Sequence, residues 1–290
     1  MSKNHEPVLL KETIEILDLQ QGNIVVDGTY GFGGHSREIL KRIGDSGKLI
    51  AIERDREIFD KALGDLRDKR VTKICGNFAN ISEILSSLKI KKVDKVFLDL
   101  GLSSYHFDSS QRGFSFESRA RLDMRLNPEG GINAYEVVNT LSEKKIADIL
   151  YLYGDERKSR KIARMIVAKR KQSKIGCAYE LASLVERILP RFKRDKIHPA
   201  TKTFQAIRIF VNDELENLKT LLDKSKEILH TRGIVAVISF HSGEDRIVKQ
   251  FFKQNEEFEI LTKKPVIPSR QEIDKNARSR SAKLRAARRK

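Results

Sequence analysis

The residues able to do chemistry stand where short apolar runs end. Asp27-Gly-Thr-Tyr-Gly-Phe-Gly-Gly-His35 lies between the β-branched run Ile24-Val25-Val26 and a segment with Ile39, Leu40 and Ile43 at helical spacing. Gly31, Gly33 and Gly34 let the backbone turn sharply and approach a ligand closely. The amides of the helix that follows can hold an anionic group. Glu53 ends the next strand-like run, 20 residues after Gly33, where an acid accepts hydrogen bonds from ribose hydroxyls. The loop reads G-x-x-G-x-G-G rather than the dinucleotide pattern G-x-G-x-x-G. An adenosyl ligand without a pyrophosphate needs fewer phosphate-facing amides, and Asp27 suits a cationic amino group. Asp27, Gly33 and Glu53 together fit S-adenosylmethionine better than a nicotinamide dinucleotide. Phe78 follows a third run, Val71 to Cys75, and is placed to stack on an adenine, with core packing as the plainer reading. Asp99 ends a fourth, Val93 to Leu100, in Asp99-Leu-Gly-Leu-Ser-Ser104.

Strand-like and helical runs alternate up to residue 100, the rhythm of βαβ units and a parallel sheet. Helices are predicted at 36–43, 55–66 (Ile58, Phe59, Ala62, Leu63 and Leu66 on one face) and 81–88. In such a sheet ligands bind outside the carboxyl ends of the strands, where Asp27, Glu53, Phe78 and Asp99 all fall. From 103 to 232 there is no strand pattern. An irregular stretch over 103–134 precedes helical patterns at 143–151, 156–171, 178–189 and 201–229. Strand character returns at Gly233–Phe240, then a helix at 244–254 and a weaker strand at 257–262. A helical block between two α/β pieces predicts an inserted domain.

The chain has 290 residues, enough for one large or two modest domains, with 39% apolar and 33% charged residues. Such a composition excludes collagen, mucin-like stalks and wholesale disorder. Lys and Arg number 57 against 40 acids, a net +17 that favours an anionic partner. Residues 157–174 carry nine Lys or Arg and no acid, and 263–290 carry eleven against two acids. Two separate basic blocks favour nucleic-acid contact over solvated surface, with 263–290 read as a tail and 157–174 as part of a clamp on RNA. Cys75 and Cys177 cannot form a disulfide framework, and the six His and two Cys show no paired metal-ligand spacing, so no metal is expected. No run approaches a membrane span or a signal peptide, which predicts a soluble cytoplasmic protein. His198, before Pro199, and His241, ending the fifth strand run, each admit a structural and a functional reading.

The glycine loop, DLGLSS, Arg112-Gly-Phe-Ser-Phe116, Leu122-Asp-Met-Arg125, His198-Pro-Ala-Thr-Lys-Thr-Phe-Gln-Ala-Ile-Arg208, Ser239-Phe-His-Ser242 with Glu244-Asp-Arg246, and Ser281-Ala-Lys-Leu-Arg285 occur in that order from about His5 to Arg285. In these motifs the chain resembles the MraW family, the bacterial small-subunit ribosomal RNA (cytosine-N4)-methyltransferases. The resemblance implies an α/β class I S-adenosylmethionine-dependent methyltransferase fold, Rossmann-like with a mostly parallel sheet and an inserted helical domain. It implies methyl transfer to the N4 amine of a cytidine near the decoding centre, with ribosomal RNA or the small subunit as partner. Another RNA or DNA is the alternative substrate. The implied organisation is 1–105 and 213–262 for the methyltransferase domain, 106–212 for the helical substrate-recognition domain and 263–290 for a basic tail. Gly33, Gly34, His35, Glu53, Phe78, Asp99 and His106 take the cofactor-binding positions, Glu53 where relatives more often carry Asp and His106 where they carry Gln. Asp99 is also the candidate catalytic residue, holding either the cofactor's amino group or the target amine. Methylation at N4 needs no catalytic thiol. Tyr105, Phe107 and Phe114 are candidates to stack on a base turned outward.

Overall fold

The structure is a computed structural model that describes residues 7–62, 64, 67–108, 111–190 and 197–290. The chain divides into two compact units, Met1–Gly101 with Leu215–Lys290, and Leu102–Glu214. In chain order the elements are α1 (Leu10–Leu17), β1 (Ile24–Asp27), α2 (Gly34–Ile43), β2 (Lys48–Glu53), α3 (Arg56–Ala62), β3 (Val71–Cys75), α4 (Ile81–Ser87) and β4 (Val93–Asp99). Then follow α5 (Ser104–Asp108), α6 (Ala134–Thr140), α7 (Glu143–Gly154), α8 (Ser159–Gln172), α9 (Ala178–Ile188) and α10 (Thr201–Val211). The chain ends with α11 (Glu214–Ile228), β5 (Leu229–Ser239), α12 (Ser242–Gln254), β6 (Phe258–Ile260), α13 (Arg270–Lys275) and β7 (Lys283–Arg289).

The first unit is built on a seven-stranded sheet of order β3-β2-β1-β4-β5-β7-β6. Strands β1 to β5 are parallel, and β7 lies antiparallel between β5 and β6. This is the class I methyltransferase arrangement that the resemblance implies. The central strands are mostly apolar where both faces are covered, as in Val96-Phe97-Leu98 of β4 and Ile234–Ile238 of β5. On β5, Ile234, Ala236 and Ile238 enter the cluster that holds Ile39 and Ile43 of α2. Val235 and Val237 enter the opposite cluster, with Leu85 of α4, Leu218 of α11 and Val248 of α12. Successive crossovers run to opposite sides of β1, so the sheet's switch point lies between β1 and β4, the crevice where ligands bind in open α/β sheets. Asp27 and Asp99 are the last residues of those two strands.

Three expectations change. The stretch 263–290 is not simply a tail, because β7 is an interior strand of the sheet. Its sequence, Lys-Leu-Arg-Ala-Ala-Arg-Arg, lacks β-branched residues, and its buried Arg285 is accommodated by Asp245 of α12 at 2.6 Å. The single helix expected over 201–229 is two, α10 and α11. They break at Asn212-Asp213, where Asp213 takes a left-handed φ of 49° and Asn212 binds the backbone of Met124 and Leu126. The helix predicted at 55–66 is observed over Arg56–Ala62, and Leu63 and Leu66 lie outside the described residues.

The second unit is helical, with one core formed by α6 to α10 and the segment 114–124. Asn133 and Glu136 form a capping box that starts α6, a helix the sequence pattern did not show. Arg112 donates to the carbonyls of Arg125 and Leu126, fastening the irregular stretch before α6 onto itself.

Candidate active site

Within the first unit the structure brings Gly33, Gly34, His35, Glu53, Phe78 and Asp99 to the carboxyl ends of neighbouring strands. The glycine loop follows β1, and Gly33 is the N-cap of α2 with φ 74°, a conformation that disfavours a side chain. A Cβ there would also stand 2.8 Å from the Tyr30 hydroxyl. At Gly34 a Cβ would fall 2.5 Å from Pro7 Cγ, so Tyr30 and Pro7 pack too closely on these two positions for a side chain. Phe78 opens a short turn after β3 and is half-buried. Asn77 caps that turn by accepting from the Ala79 amide, and its Nδ2 donates to Asn217 Oδ1 of α11 at 2.9 Å.

Three carboxylates define the electrostatics. Asp27 is buried; its Oδ2 accepts from the Ser36 hydroxyl at 2.6 Å and its Oδ1 from the Thr29 amide at 3.1 Å. Burial raises its pKa to about 6, and those two hydrogen bonds pull against the rise. Both oxygens therefore serve the loop itself, binding it to α2, rather than waiting for the amino group expected at this position. Glu53 is raised to about 7, first by desolvation, with the amides of Asp55 (2.7 Å) and Gly31 (2.9 Å) opposing. Asp99 is also raised to about 7, first by desolvation, then by the charge of Asp27, with the Gly101 amide opposing and Glu244 adding to the rise. Its Oδ1 is shielded from solvent and has no hydrogen-bond partner. Three acids on β1, β2 and β4 thus hold charge at a cost, an arrangement that favours a ligand bringing cationic charge and hydroxyl donors.

His35 sits beside Asp99, with Nδ1 3.7 Å from Oδ2. Its Nε2 donates to the Val8 carbonyl at 3.0 Å, and its ring packs on Phe97. The imidazole is thereby committed within the protein, leaving the backbone at the start of α2 as the part that can face a ligand.

His106 belongs to the second unit, where it is buried and its ring meets Phe114 edge-on at 5.0 Å. Phe114 is itself buried in that unit's core, so it is core filling rather than an exposed stacking platform. Phe107 is 38% exposed.

The two other candidate histidines, His198 and His241, make contacts within the protein. His198 stacks on Phe116 at 4.4 Å, its Nε2 is 2.9 Å from Glu186, and its Nδ1 accepts from the Ala200 amide. His241 caps α12, Nδ1 accepting from the amides of Gly243 and Glu244, while Glu244 reaches back to the Phe240 and His241 amides. Cys75 is exposed at the end of β3.

Sequence reasoning missed Thr29, Ser36 and Glu244. Thr29 Oγ1 accepts from the Asp99 amide at 2.6 Å and ties β1 to β4 at the switch point. Ser36 holds Asp27, and buried Glu244 contributes to the potential at Asp99. A signal for Glu244 was present: it stands three residues after His241, the capping-box spacing, hidden because His replaces the usual Ser or Thr.

A family model described as the MraW methylase family matches residues 2–290. The chain is 44% identical to ribosomal RNA small subunit methyltransferase H of Caldicellulosiruptor saccharolyticus, over 98% of each chain. It is 44% identical to the protein of that name from Clostridium botulinum over 99% of each, and 45% identical to that of Desulfotalea psychrophila over 98% of each.

Proposed function

The chain belongs to the MraW methylase family, and from that premise we propose that it methylates the N4 amine of a cytidine in small-subunit ribosomal RNA, in the cytoplasm, using S-adenosylmethionine. The observation that carries this reading is the line of three destabilised carboxylates at the ends of β1, β2 and β4, one of which presents a shielded oxygen without a partner. A sulfonium compound with an ammonium group supplies the cationic charge this cluster of acids lacks, and a donor for the shielded oxygen without a partner, Asp99 Oδ1.

In this proposal Glu53 accepts the ribose hydroxyls, Phe78 stacks on the adenine, and the start of α2, Gly33 to His35, lies against the amino-acid part. His106 is assigned to the cofactor on the resemblance alone, and its replacement by Gln should preserve cofactor affinity. The bound cofactor supplies an electrophilic methyl whose carbon–sulfur electron pair returns to sulfur as the bond breaks.

The remaining work falls to the chain's own groups. Asp99 accepts a hydrogen bond from the N4 amine, which localises a lone pair otherwise delocalised into the ring and aims it at the methyl carbon. As the N–C bond forms, the amine loses one proton, which passes through the Asp99 carboxylate to water. A carboxyl held near pKa 7 is poised for that exchange. Thr29 and His35 keep Asp99 in place, from its amide and its Oδ2 side respectively.

The test uses small subunits from cells lacking the protein, incubated with purified enzyme and methyl-labelled S-adenosylmethionine, followed by nucleoside analysis. Label in N4-methylcytidine is expected. Label in another nucleoside, or only on another RNA or DNA, would refute the target while keeping the enzyme class.

A further inference from the structure

Helix α8 of the second unit breaks local rules of helix design. Its first turn carries no acid, whereas α7 begins with Glu143 and α9 with Glu180. Lys158 is its N-cap, and Arg160 and Lys161 follow inside the first turn, so three cations crowd the positive end of the helix dipole. Arg160 and Lys161 both stand one turn from Arg164, a like-charge spacing that weakens a helix. None of this serves the core, because the buried face is Ser159, Ile162, Ala163 and Ile166.

The cations instead share the opposite side. Arg157, Arg160, Lys161, Arg164, Lys171 and Lys174 are all exposed. Among the described residues Arg157, Arg160, Lys161, Lys171 and Lys174 have no ion-pair partner, and Arg164 has only the loose, exposed contact to Glu143 at 3.8 Å. The cations near this face that are committed elsewhere lie apart from it: Arg170 donates to the Val138 carbonyl and Lys169 to the Ser173 hydroxyl. The helix runs 14 residues, about 20 Å, so the row can meet several successive phosphates of one strand.

We propose that the outer face of α8 is an RNA-backbone docking rail, which holds the substrate by its phosphates, without base readout. The inference rests on the reading of ribosomal RNA as substrate and adds where that RNA is gripped. A row of exposed, mostly unpaired cations that crowds the unfavourable end of its own helix is the signature of a face whose counter-charge arrives with a partner. A protein partner would need a matching acidic surface, whereas RNA brings one charge per nucleotide to every position along the row.

The experiment compares the wild-type chain with the quadruple variant Arg160→Gln, Lys161→Gln, Lys171→Gln, Lys174→Gln. Binding to naked small-subunit rRNA transcript is measured between 50 and 200 mM salt. Losing four phosphate contacts should lower the slope of log K against log salt by about 3 and weaken binding at least tenfold at about 100 mM. Affinity for S-adenosylmethionine should be unchanged, and the melting temperature should not fall. A control with Lys11→Gln, Lys41→Gln, Lys249→Gln and Lys253→Gln, exposed lysines of the first unit, should change the slope by less than one. Arg157→Lys with Arg160→Lys, which keeps the charges, should retain the wild-type slope.

An unchanged slope in the quadruple variant, or an equal drop in the control, would overturn the rail. Lost binding to assembled subunits with naked RNA unaffected would assign the face to a ribosomal protein and overturn it too. If the wild-type chain itself neither binds nor methylates rRNA, the substrate reading falls first and the rail with it.

Discussion

Replacing Asp99 by Asn should make the ligand-free protein more stable at alkaline pH while disabling it. Asp99 titrates near 7 in the folded protein against an ordinary 3.8, because burial and the charge of Asp27 oppose its ionisation. A folded pKa above the unfolded one means that the native state holds a proton the unfolded state has released. Stability therefore falls as pH rises from about 4 through about 7, and the full penalty is present above that window. At 1.36 kcal/mol per pKa unit, the penalty is about 4 kcal/mol at pH 8 and drops below about 2 kcal/mol by pH 5. That shift already includes the opposing hydrogen bond from the Gly101 amide, which the Asn carbonyl oxygen can still accept, so a gain of about 2 to 4 kcal/mol at pH 8 is expected. For a protein of this size that is a rise of roughly 5 °C or more in melting temperature. Turnover on subunits should fall at least about 100-fold, and the thermal gain should shrink steadily toward pH 5. Denaturant or thermal melts of both proteins at pH 5, 6.5 and 8, without cofactor, decide the matter. A variant that melts at or below the wild type at pH 8, or whose gain is the same at pH 5, refutes the electrostatic account of the site.

Three further outcomes follow from the same structure. Affinity for S-adenosylmethionine should rise as pH climbs from 6 through about 7.5 and then level, with protons released on binding, because Glu53 and Asp99 must ionise to receive it. Calorimetry at pH 6.5 in two buffers of different ionisation enthalpy should give different heats, and equal heats would contradict the coupling. Gly33→Ala should lose about 1 to 3 kcal/mol, since φ is 74° and the new Cβ would meet the Tyr30 ring; an unchanged denaturant midpoint would show that the loop relaxes freely. Arg285→Ala should destabilise by about 2 to 4 kcal/mol at pH 7 by leaving Asp245 with Lys283 alone. Burial tends to raise Asp245, but Arg285 and Lys283 outweigh it and hold its pKa below the ordinary value. The stability that Asp245 contributes is therefore lost as pH falls through its folded pKa, and the difference between wild type and variant should narrow in urea melts toward pH 3.

What the sequence disclosed about this fold depended on how local each determinant is. Strands β1, β2 and β4 are covered on both faces, so each carries an apolar run just before its end, Ile24–Val26, Leu49–Ile52 and Val96–Leu98, and the acids that close them stood out by contrast. Strand β7 did not read as a strand because its stability is borrowed from afar: Arg285 and Lys283 become tolerable only through Asp245, about 40 residues away in sequence. The break between α10 and α11 was hidden likewise, since Asn212 finds its partners at Met124 and Leu126 on the other side of the second unit's sequence. At the site, position along a strand predicted which acids would gather, but not which would be spoken for. Asp27 looked like a ligand for a cationic group until Ser36 and the Thr29 amide were seen to occupy both its oxygens. His241 looked equally suited to catalysis or structure until its Nδ1 was found capping α12.

The two units share a way of being incomplete. In the first, three carboxylates stand where ionisation is unfavourable, and Asp99 keeps a shielded oxygen with no partner. In the second, α8 sets cations against its own dipole and against one another. Neither feature improves the ligand-free fold, and each has the sign opposite to one reactant: acids for a sulfonium and an ammonium, bases for a polyanion. A molecule that binds only the folded state stabilises it by RT ln(1 + [L]/Kd), so each partner should add most to the unit that carries its complementary strain. Saturating S-adenosylmethionine should therefore raise the melting temperature of the wild-type chain more at pH 8 than at pH 5. That pH dependence should diminish in the Asp99→Asn variant, which has lost one of the charges that produce it.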